Sequence, residues 1–149
     1  MIRHAAPAAF ACLLAACHPG GGQAGNAHVP GDTSSNEPFQ EIALTEELRF
    51  TGTEPFWGGT VKGTVLTYST PETPDGETLT VQRFAGRGGL SFSGHFHGAA
   101  FDMIVTQSKC SDGMSDRTYP FVVTLKVGEE TRNGCAWSEQ HPFTGPEHP

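Results

Sequence analysis

Residues 90–107 read Leu-Ser-Phe-Ser-Gly-His-Phe-His-Gly-Ala-Ala-Phe-Asp-Met-Ile-Val-Thr-Gln, which is two alternating runs joined by Gly98-Ala99. A two-residue turn with glycine first suits type II′ geometry and places His95 opposite Asp102. Because successive residues of a strand point to opposite faces, nearly all the apolar side chains then share one face. The stretch predicts an antiparallel hairpin whose buried face carries Leu90, Phe92, Phe96, Phe101, Met103 and Val105.

A second hairpin is predicted nearer the carboxyl terminus. Gly128-Glu129 can form another type II′ turn, which pairs Val127 with Glu130 and places Cys135 opposite Val122. The apolar side chains again fall on one face, which carries Phe121, Val123, Leu125 and Val127.

Short β-rich runs separated by glycine and proline recur through the rest of this region, and there is no convincing helical pattern. Such spacing is typical of a sandwich or a barrel. The sequence therefore predicts an all-β domain over residues 47–138, a small antiparallel barrel or sandwich of about eight strands. The predicted strands are 48–52, 56–61, 64–70, 78–84, 90–97, 100–107, 119–127 and 130–137.

The amino terminus has the pattern of an export signal, with Arg3 near its start and a short apolar stretch after it. The stretch ends in Leu-Ala-Ala-Cys at Cys17, which resembles the lipobox of bacterial lipoproteins. The resemblance implies a signal peptide over residues 1–16 and a lipid on Cys17, which makes the membrane a partner. Since His18 rather than an aspartate follows, it also implies the outer membrane, facing the periplasm. An ordinary secretory signal is the alternative.

Residues 17–46 are rich in glycine, proline and small polar residues, with few apolar residues before Phe39. A segment of this composition buries too little apolar surface to offset the entropy lost on ordering. We therefore expect a flexible tether over 17–46 and, from the prolines near the end of the chain, a disordered tail over 139–149.

Two cysteines, Cys110 and Cys135, remain after the signal peptide and the lipidated Cys17 are set aside. In an exported protein an even count predicts one disulfide bond between them. A metal site built on these thiols is the alternative, but neither lies in a Cys-x-x-Cys motif or near a histidine at zinc-like spacing.

A metal site is also conceivable at His95, His97 and Asp102. The two histidines lie two residues apart on one strand, and the predicted register places Asp102 across from His95. Two imidazoles and a carboxylate are ligands that zinc or copper accepts. We favour a solvated polar face here, with no metal and no cofactor, and keep a metal-binding envelope protein as an alternative function.

Two segments stand out from the rest of the domain: Gly-Thr-Glu-Pro-Phe-Trp at 52–57 and Cys-Ser-Asp-Gly-Met-Ser-Asp-Arg-Thr-Tyr-Pro-Phe at 110–121. Their aromatic rings can plug a barrel, or they can form a binding patch. Asp112 can form an Asx turn with Gly113 at positive φ, and Arg117 can pair with Asp116 or Glu54. The candidate binding residues are Glu54, Phe56, Trp57, Asp112, Asp116, Arg117 and Tyr119.

Together with Gly-Cys-Ala at 134–136, these ordered motifs resemble a family of uncharacterised bacterial envelope proteins and lipoproteins, in which the motifs sometimes occur beside META-type β domains. The similarity spans about residues 48–137. It implies an envelope location and a β fold, and it supplies no biochemical role.

Composition narrows the function classes. The formal net charge is −7 and there is no cluster of lysine and arginine, which disfavours nucleic acid as a partner. The signatures of a serine hydrolase elbow, a zinc protease and a phosphate-binding loop are lacking. We therefore expect a non-enzymatic binding or structural module with a protein partner in the envelope. As an alternative, a disulfide-pinned acidic barrel on a lipid anchor resembles the membrane-bound inhibitors of c-type lysozyme, whose target is strongly basic.

The anchor is tested by Cys17→Ser. The substitution should abolish incorporation of labelled fatty acid and release the protein from the membrane fraction, because the thioether needs the Cys17 sulfur. Wild-type protein that fractionates as soluble and carries no lipid on residue 17 would overturn the prediction.

Overall fold

The computed structural model of the protein describes residues 37–146, and within them there is no helix and hence none that could cross a membrane. Eight strands follow one another, each antiparallel to the next, and the last pairs with the first to close a barrel. The predicted all-β class is confirmed, and the architecture is a barrel rather than a sandwich. The strands are β1 (Glu47–Thr53), β2 (Phe56–Lys62), β3 (Val65–Thr70), β4 (Thr73–Ala85), β5 (Gly89–Phe96), β6 (Ala99–Cys110), β7 (Tyr119–Val127) and β8 (Glu130–Ser138).

Four two-residue turns lie at one end of the barrel, which we call the hairpin end. They join β1 to β2, β3 to β4, β5 to β6 and β7 to β8, and their residues are Glu54-Pro55, Pro71-Glu72, His97-Gly98 and Gly128-Glu129. The opposite end carries the start of β1 and the end of β8. Closure leaves the barrel formed by β1 to β8 without a free sheet edge that could pair with another chain.

The barrel interior is filled by alternate side chains of every strand. Both faces predicted to be buried are buried: Leu90, Phe92, Phe101, Met103, Val105, Phe121, Val123 and Leu125 are each 2% exposed or less, and Phe96 and Val127 are partly buried against them. Full burial of one such side chain stabilises the fold by about 1.5–3 kcal/mol. The inward rows of these two hairpins therefore form a large part of the core.

The turn of the second hairpin is as predicted, with Val127 opposite Glu130 and Cys135 opposite Val122. The turn of the first hairpin is one residue earlier than predicted, because His97 and Gly98 both have positive φ, at 50° and 81°. Positive φ at both central positions is the type I′ pattern, the other favoured hairpin turn. The partner of each residue moves by two positions, and because side chains alternate between faces with a period of two, the predicted buried and exposed faces are unchanged.

This register corrects one predicted contact. His95 lies opposite Ala100, and Asp102 lies opposite Ser93, so the histidine and the carboxylate are not directly across from each other.

The folded unit extends beyond the predicted bounds of 47 and 138. Phe39 and Ile42 are 5% and 3% exposed and belong to the core cluster, and Arg83 Nη2 donates a hydrogen bond of 2.7 Å to the Ile42 carbonyl. These apolar side chains cover the end of the barrel opposite the hairpin end. The prediction of a tether is therefore wrong for residues 39–46, and its earlier part, the signal peptide and Cys17 lie outside the described residues.

The carboxyl-terminal segment also packs on the barrel, so the predicted disorder from residue 139 is wrong as far as residue 146. Thr118 and Thr144 exchange two backbone hydrogen bonds of 2.9 Å. Phe143 lies against Tyr119 and Trp137, with ring centroids 5.6 and 5.9 Å away. Aromatic burial of this kind gives a short proline-containing segment enough contact to order it.

Two neighbouring aromatic residues of β2 have opposite environments and provide a matched test. Trp57 is 4% exposed and Phe56 is 56% exposed. Trp57→Ala should lower the free energy of unfolding by about 3–5 kcal/mol through lost burial and the cavity it leaves. Phe56→Ala should change it by less than about 0.5 kcal/mol. Denaturant melts of both variants make the comparison, and equal losses would contradict the assignment of Trp57 to the interior.

Candidate functional site

The three sequence motifs, far apart along the chain, meet on one side of the barrel. Closure of β8 onto β1 places Thr51 opposite Cys135. The Cys110–Cys135 disulfide then ties the β6–β7 loop, residues 111–118, to the same place. Thr53 adds a third link, because its hydroxyl donates a 3.1 Å hydrogen bond to the Asp112 carbonyl. We call the place where the three motifs meet the motif junction.

Trp57 is the structural centre of this junction. Its indole packs against Phe50 and Tyr68, with ring centroids 5.8 and 6.4 Å away. A Cβ on Gly52 would lie 2.0 Å from the Trp57 Nε1, and a Cβ on Gly134 would lie 2.9 Å from its Cζ2. Glycine is required at both positions because any side chain would overlap the ring. Trp57 is therefore a plug near the hairpin end of the barrel.

The predicted disulfide is present. The Cα atoms of Cys110 and Cys135 are 5.6 Å apart, within the ordinary range for a bridge, and Cys135 is fully buried. The bridge fixes the start of the 111–118 loop to β8.

Asp112 organises the loop from within. Its Oδ1 accepts the backbone N–H groups of Met114 and Ser115 at 3.0 and 2.8 Å, which is the predicted Asx turn, and Gly113 has the expected positive φ of 73°. Its Oδ2 accepts the hydroxyls of Ser115 and Tyr119 at 2.7 and 3.1 Å. Partial burial raises the pKa of Asp112, but the bonds from Ser115, Met114 and Tyr119 outweigh it and lower the pKa from 3.8 to about 2.

The remaining loop candidates have different roles. Tyr119 is 2% exposed and supports Asp112 from the barrel side. The Arg117 guanidinium lies 4.4 Å from the centre of the Phe143 ring, and its Nε donates to the Pro146 carbonyl at 2.8 Å, so it holds the carboxyl-terminal segment. Asp116 and Glu54 are exposed carboxylates.

The seven candidates thus separate into supports and exposed groups. Trp57, Asp112 and Tyr119 support the junction from the barrel side, and Arg117 holds the carboxyl-terminal segment. Glu54, Phe56 and Asp116 face solvent beside the junction. The tip of the loop also presents Met114, which is 67% exposed and was not among the predicted residues.

A polar cluster that the sequence did not reveal joins the two ends of the folded unit. Glu46 and Ser138 are 7% and 1% exposed, and the Ser138 hydroxyl donates a short hydrogen bond to Glu46 Oε1. His141 Nδ1 lies 3.1 Å from the same oxygen. Burial raises the pKa of Glu46, but the hydrogen bonds from Ser138, His141 and Ala43 outweigh it and lower the pKa.

This cluster links two segments of the chain and is not arranged to activate Ser138 as a nucleophile. The Ser138 hydroxyl is committed to Glu46, and both of these groups meet the same nitrogen of His141, so the imidazole has no second nitrogen linking serine to carboxylate as a relay requires. The cluster holds the segment before β1 against the segment after β8.

The three groups of the alternative metal site are not assembled as that alternative requires. His97 is in the β5–β6 turn, where its Nε2 lies 2.7 Å from Glu77 Oε2 and its ring stacks on Phe96. His95 and Asp102 remain on the outer face but are not paired. Within residues 37–146, no group of three or more histidine, cysteine, aspartate or glutamate side chains is arranged to hold a metal ion.

In comparisons with known proteins, no family model, curated protein or solved structure matches this chain. The resemblance to the envelope family stays a prediction based on the three motifs.

The role of Asp112 can be measured through pH. Because the folded pKa is below the unfolded value of 3.8, the ionised carboxylate stabilises the fold above about pH 4, and this contribution is lost as pH falls toward 2. Asp112→Asn should cost about 1–2 kcal/mol at neutral pH. The difference from wild type should shrink to near zero at about pH 2.

Asp116→Asn is the control, since it removes a carboxylate from the exposed side of the same loop. It should change stability by less than about 0.5 kcal/mol. Urea melts of the three proteins between about pH 2 and pH 7 make the comparison. A loss in Asp112→Asn that does not vary with pH would contradict the assigned role of the carboxylate.

Proposed function

We propose that the protein is a lipid-anchored component of the bacterial envelope and acts as a non-enzymatic binding module. The recognition surface is the exposed side of the motif junction, which we define as Glu54, Phe56, Met114 and Asp116. The lipid on Cys17 would hold the domain at the outer membrane, facing the periplasm.

The observation that carries this proposal is the rigid support under exposed side chains. The Thr53–Asp112 hydrogen bond and the Cys110–Cys135 disulfide fasten the 111–118 loop to β1 and β8, and the loop is further ordered by four hydrogen bonds to Asp112. A pre-ordered surface loses less entropy on association than a flexible one. Exposed Phe56 and Met114 supply apolar contact area of the kind that binding surfaces use.

The second candidate is binding of a cationic enzyme, as in the inhibitors of c-type lysozyme. The net charge of −7 and the closed barrel with one disulfide favour it. Under this candidate the target is basic and the interaction weakens with salt.

Site-specific photo-crosslinking in living cells tests the proposed surface. A photoreactive phenylalanine analogue replaces Phe56 in one strain and Phe84 in another. Phe84 is a good control because it is 68% exposed and lies on β4, near the end of the barrel opposite the hairpin end. We expect a discrete protein adduct from position 56 and none from position 84.

The identity of the adduct separates the two candidates, since a basic enzyme would select the second. No adduct at position 56, or the same adducts at both positions, would contradict the proposed surface.

A further inference from the structure

A hollow of about 310 Å³ opens at the hairpin end, between the β1–β2 turn and the β3–β4 turn. Phe56 forms one wall with its exposed ring, and two prolines of the β3–β4 region, Pro71 and Pro74, also line it. The volume is at the low end of the range for ligand pockets.

The inner surface of the hollow is formed by Gly58 and Trp57. A Cβ on Gly58 would lie 2.9 Å from the Phe50 carbonyl oxygen, so the backbones are too close for a side chain that would fill the space. Trp57 is 96% buried, and its Nε1–H has no hydrogen-bond acceptor among residues 37–146. This nitrogen is buried against Gly52 in the barrel interior, so it is not part of the surface that an occupant of the hollow meets.

The borders of the hollow are acidic. Its lining residues fall within segments 51–58 and 69–74. These segments, together with residue 75, contain three carboxylates beside the lining residues and no lysine, arginine or histidine. The three are Glu54, Glu72 and Asp75, and all are exposed. Glu72 and Asp75 directly follow the lining residues Pro71 and Pro74, and Glu54 lies two residues from Gly52 and from Phe56 in the chain.

Arg132 is the cation that acts on Glu72 at this end, and its charge is already matched. Its Nε and Nη2 both donate to Glu130 at 2.9 Å, and its Nη1 donates to Tyr68 at 2.6 Å. Because the single charge of Arg132 is shared between Glu130 and Glu72, a net negative charge remains beside the hollow and attracts a positive group.

Resting on the proposed binding function, we propose that this hollow receives an arginine or lysine side chain from an extended cationic segment of a protein partner. The aliphatic stem packs on Pro71 and Pro74, and the charged group lies over the Phe56 ring. The three carboxylates draw the segment in and fix its orientation.

The test is a titration of the full-length protein with hexa-arginine, and with hexa-glutamate as the control peptide. Trp57 serves as the reporter, in a Trp137→Phe background that removes the second tryptophan. We expect saturable binding of hexa-arginine that weakens with salt. Phe56→Leu keeps an apolar side chain but removes the ring, and it should weaken binding about threefold.

A pair of triple variants separates a site from general charge. Glu54→Gln/Glu72→Gln/Asp75→Asn removes the carboxylates at the hollow and should weaken binding about tenfold or more at low salt. Glu41→Gln/Glu47→Gln/Glu139→Gln makes the same charge change near the opposite end of the barrel and should weaken it less than about threefold. All six positions are exposed, and matching thermal melts would confirm that each variant is folded.

Equal weakening by the two triple variants would overturn the proposal, as would no binding at about 1 mM peptide or equal binding of hexa-glutamate. These results would leave the crosslinking test untouched. An adduct at position 56 without hexa-arginine binding would mean that the surface exists and takes a partner of other chemistry.

Discussion

The pairing of β8 with β1 is the constraint on which the rest of the structure depends. It brings Thr51 opposite Cys135 and so places Gly134 beside Gly52, where both glycines lie against the same edge of the Trp57 indole. Both glycines are needed because the ring fills the space that their side chains would occupy. The closure of the barrel and the packing of one large aromatic residue are thus a single requirement, which accounts for Gly52 in the first motif and Gly134 in the last.

The third motif depends on the same closure. Once Cys135 is fixed in β8, its bond to Cys110 closes a loop that the chain-entropy account values at about 3.5 kcal/mol. Each hydrogen bond to Asp112 contributes less, about 1 kcal/mol. The disulfide therefore sets where the loop lies, and Asp112 sets its shape. Because internal groups do this work, the residues beside them remain exposed and available to a partner.

The alternation of apolar and polar residues in the sequence was sufficient to predict which face of each strand is buried, but it did not predict the turns between strands. Both type I′ and type II′ turns keep the apolar faces of residues 90–107 together, and only the tolerance of His97 for positive φ decides between them. β4 begins at Thr73, five residues before the predicted start, because Pro74 and Gly76 mimic a turn within a strand. Phe39 and Ile42 are isolated apolar residues in a polar segment, so their burial depends on a tertiary surface that the local pattern does not contain.

The candidate site was also predicted only in part. The motifs identified the residues, and the Asx turn and the disulfide followed from local chemistry. Sequence could not assign Trp57 to the interior and Phe56 to the surface, because that choice depends on which side of β2 faces the closed barrel. Nor could it place Pro71 and Phe56 at the same hollow, since that placement follows from the pairing of β2 with β3.

The central claim, that the motifs form one packed junction around Trp57, is tested most directly by nuclear Overhauser effects in the folded protein. We expect strong cross-peaks from the Trp57 indole Hε1 to the Gly52 Hα protons and from its Hζ2 to the Gly134 Hα protons. Their absence in a spectrum that resolves the Trp57 indole would contradict the account.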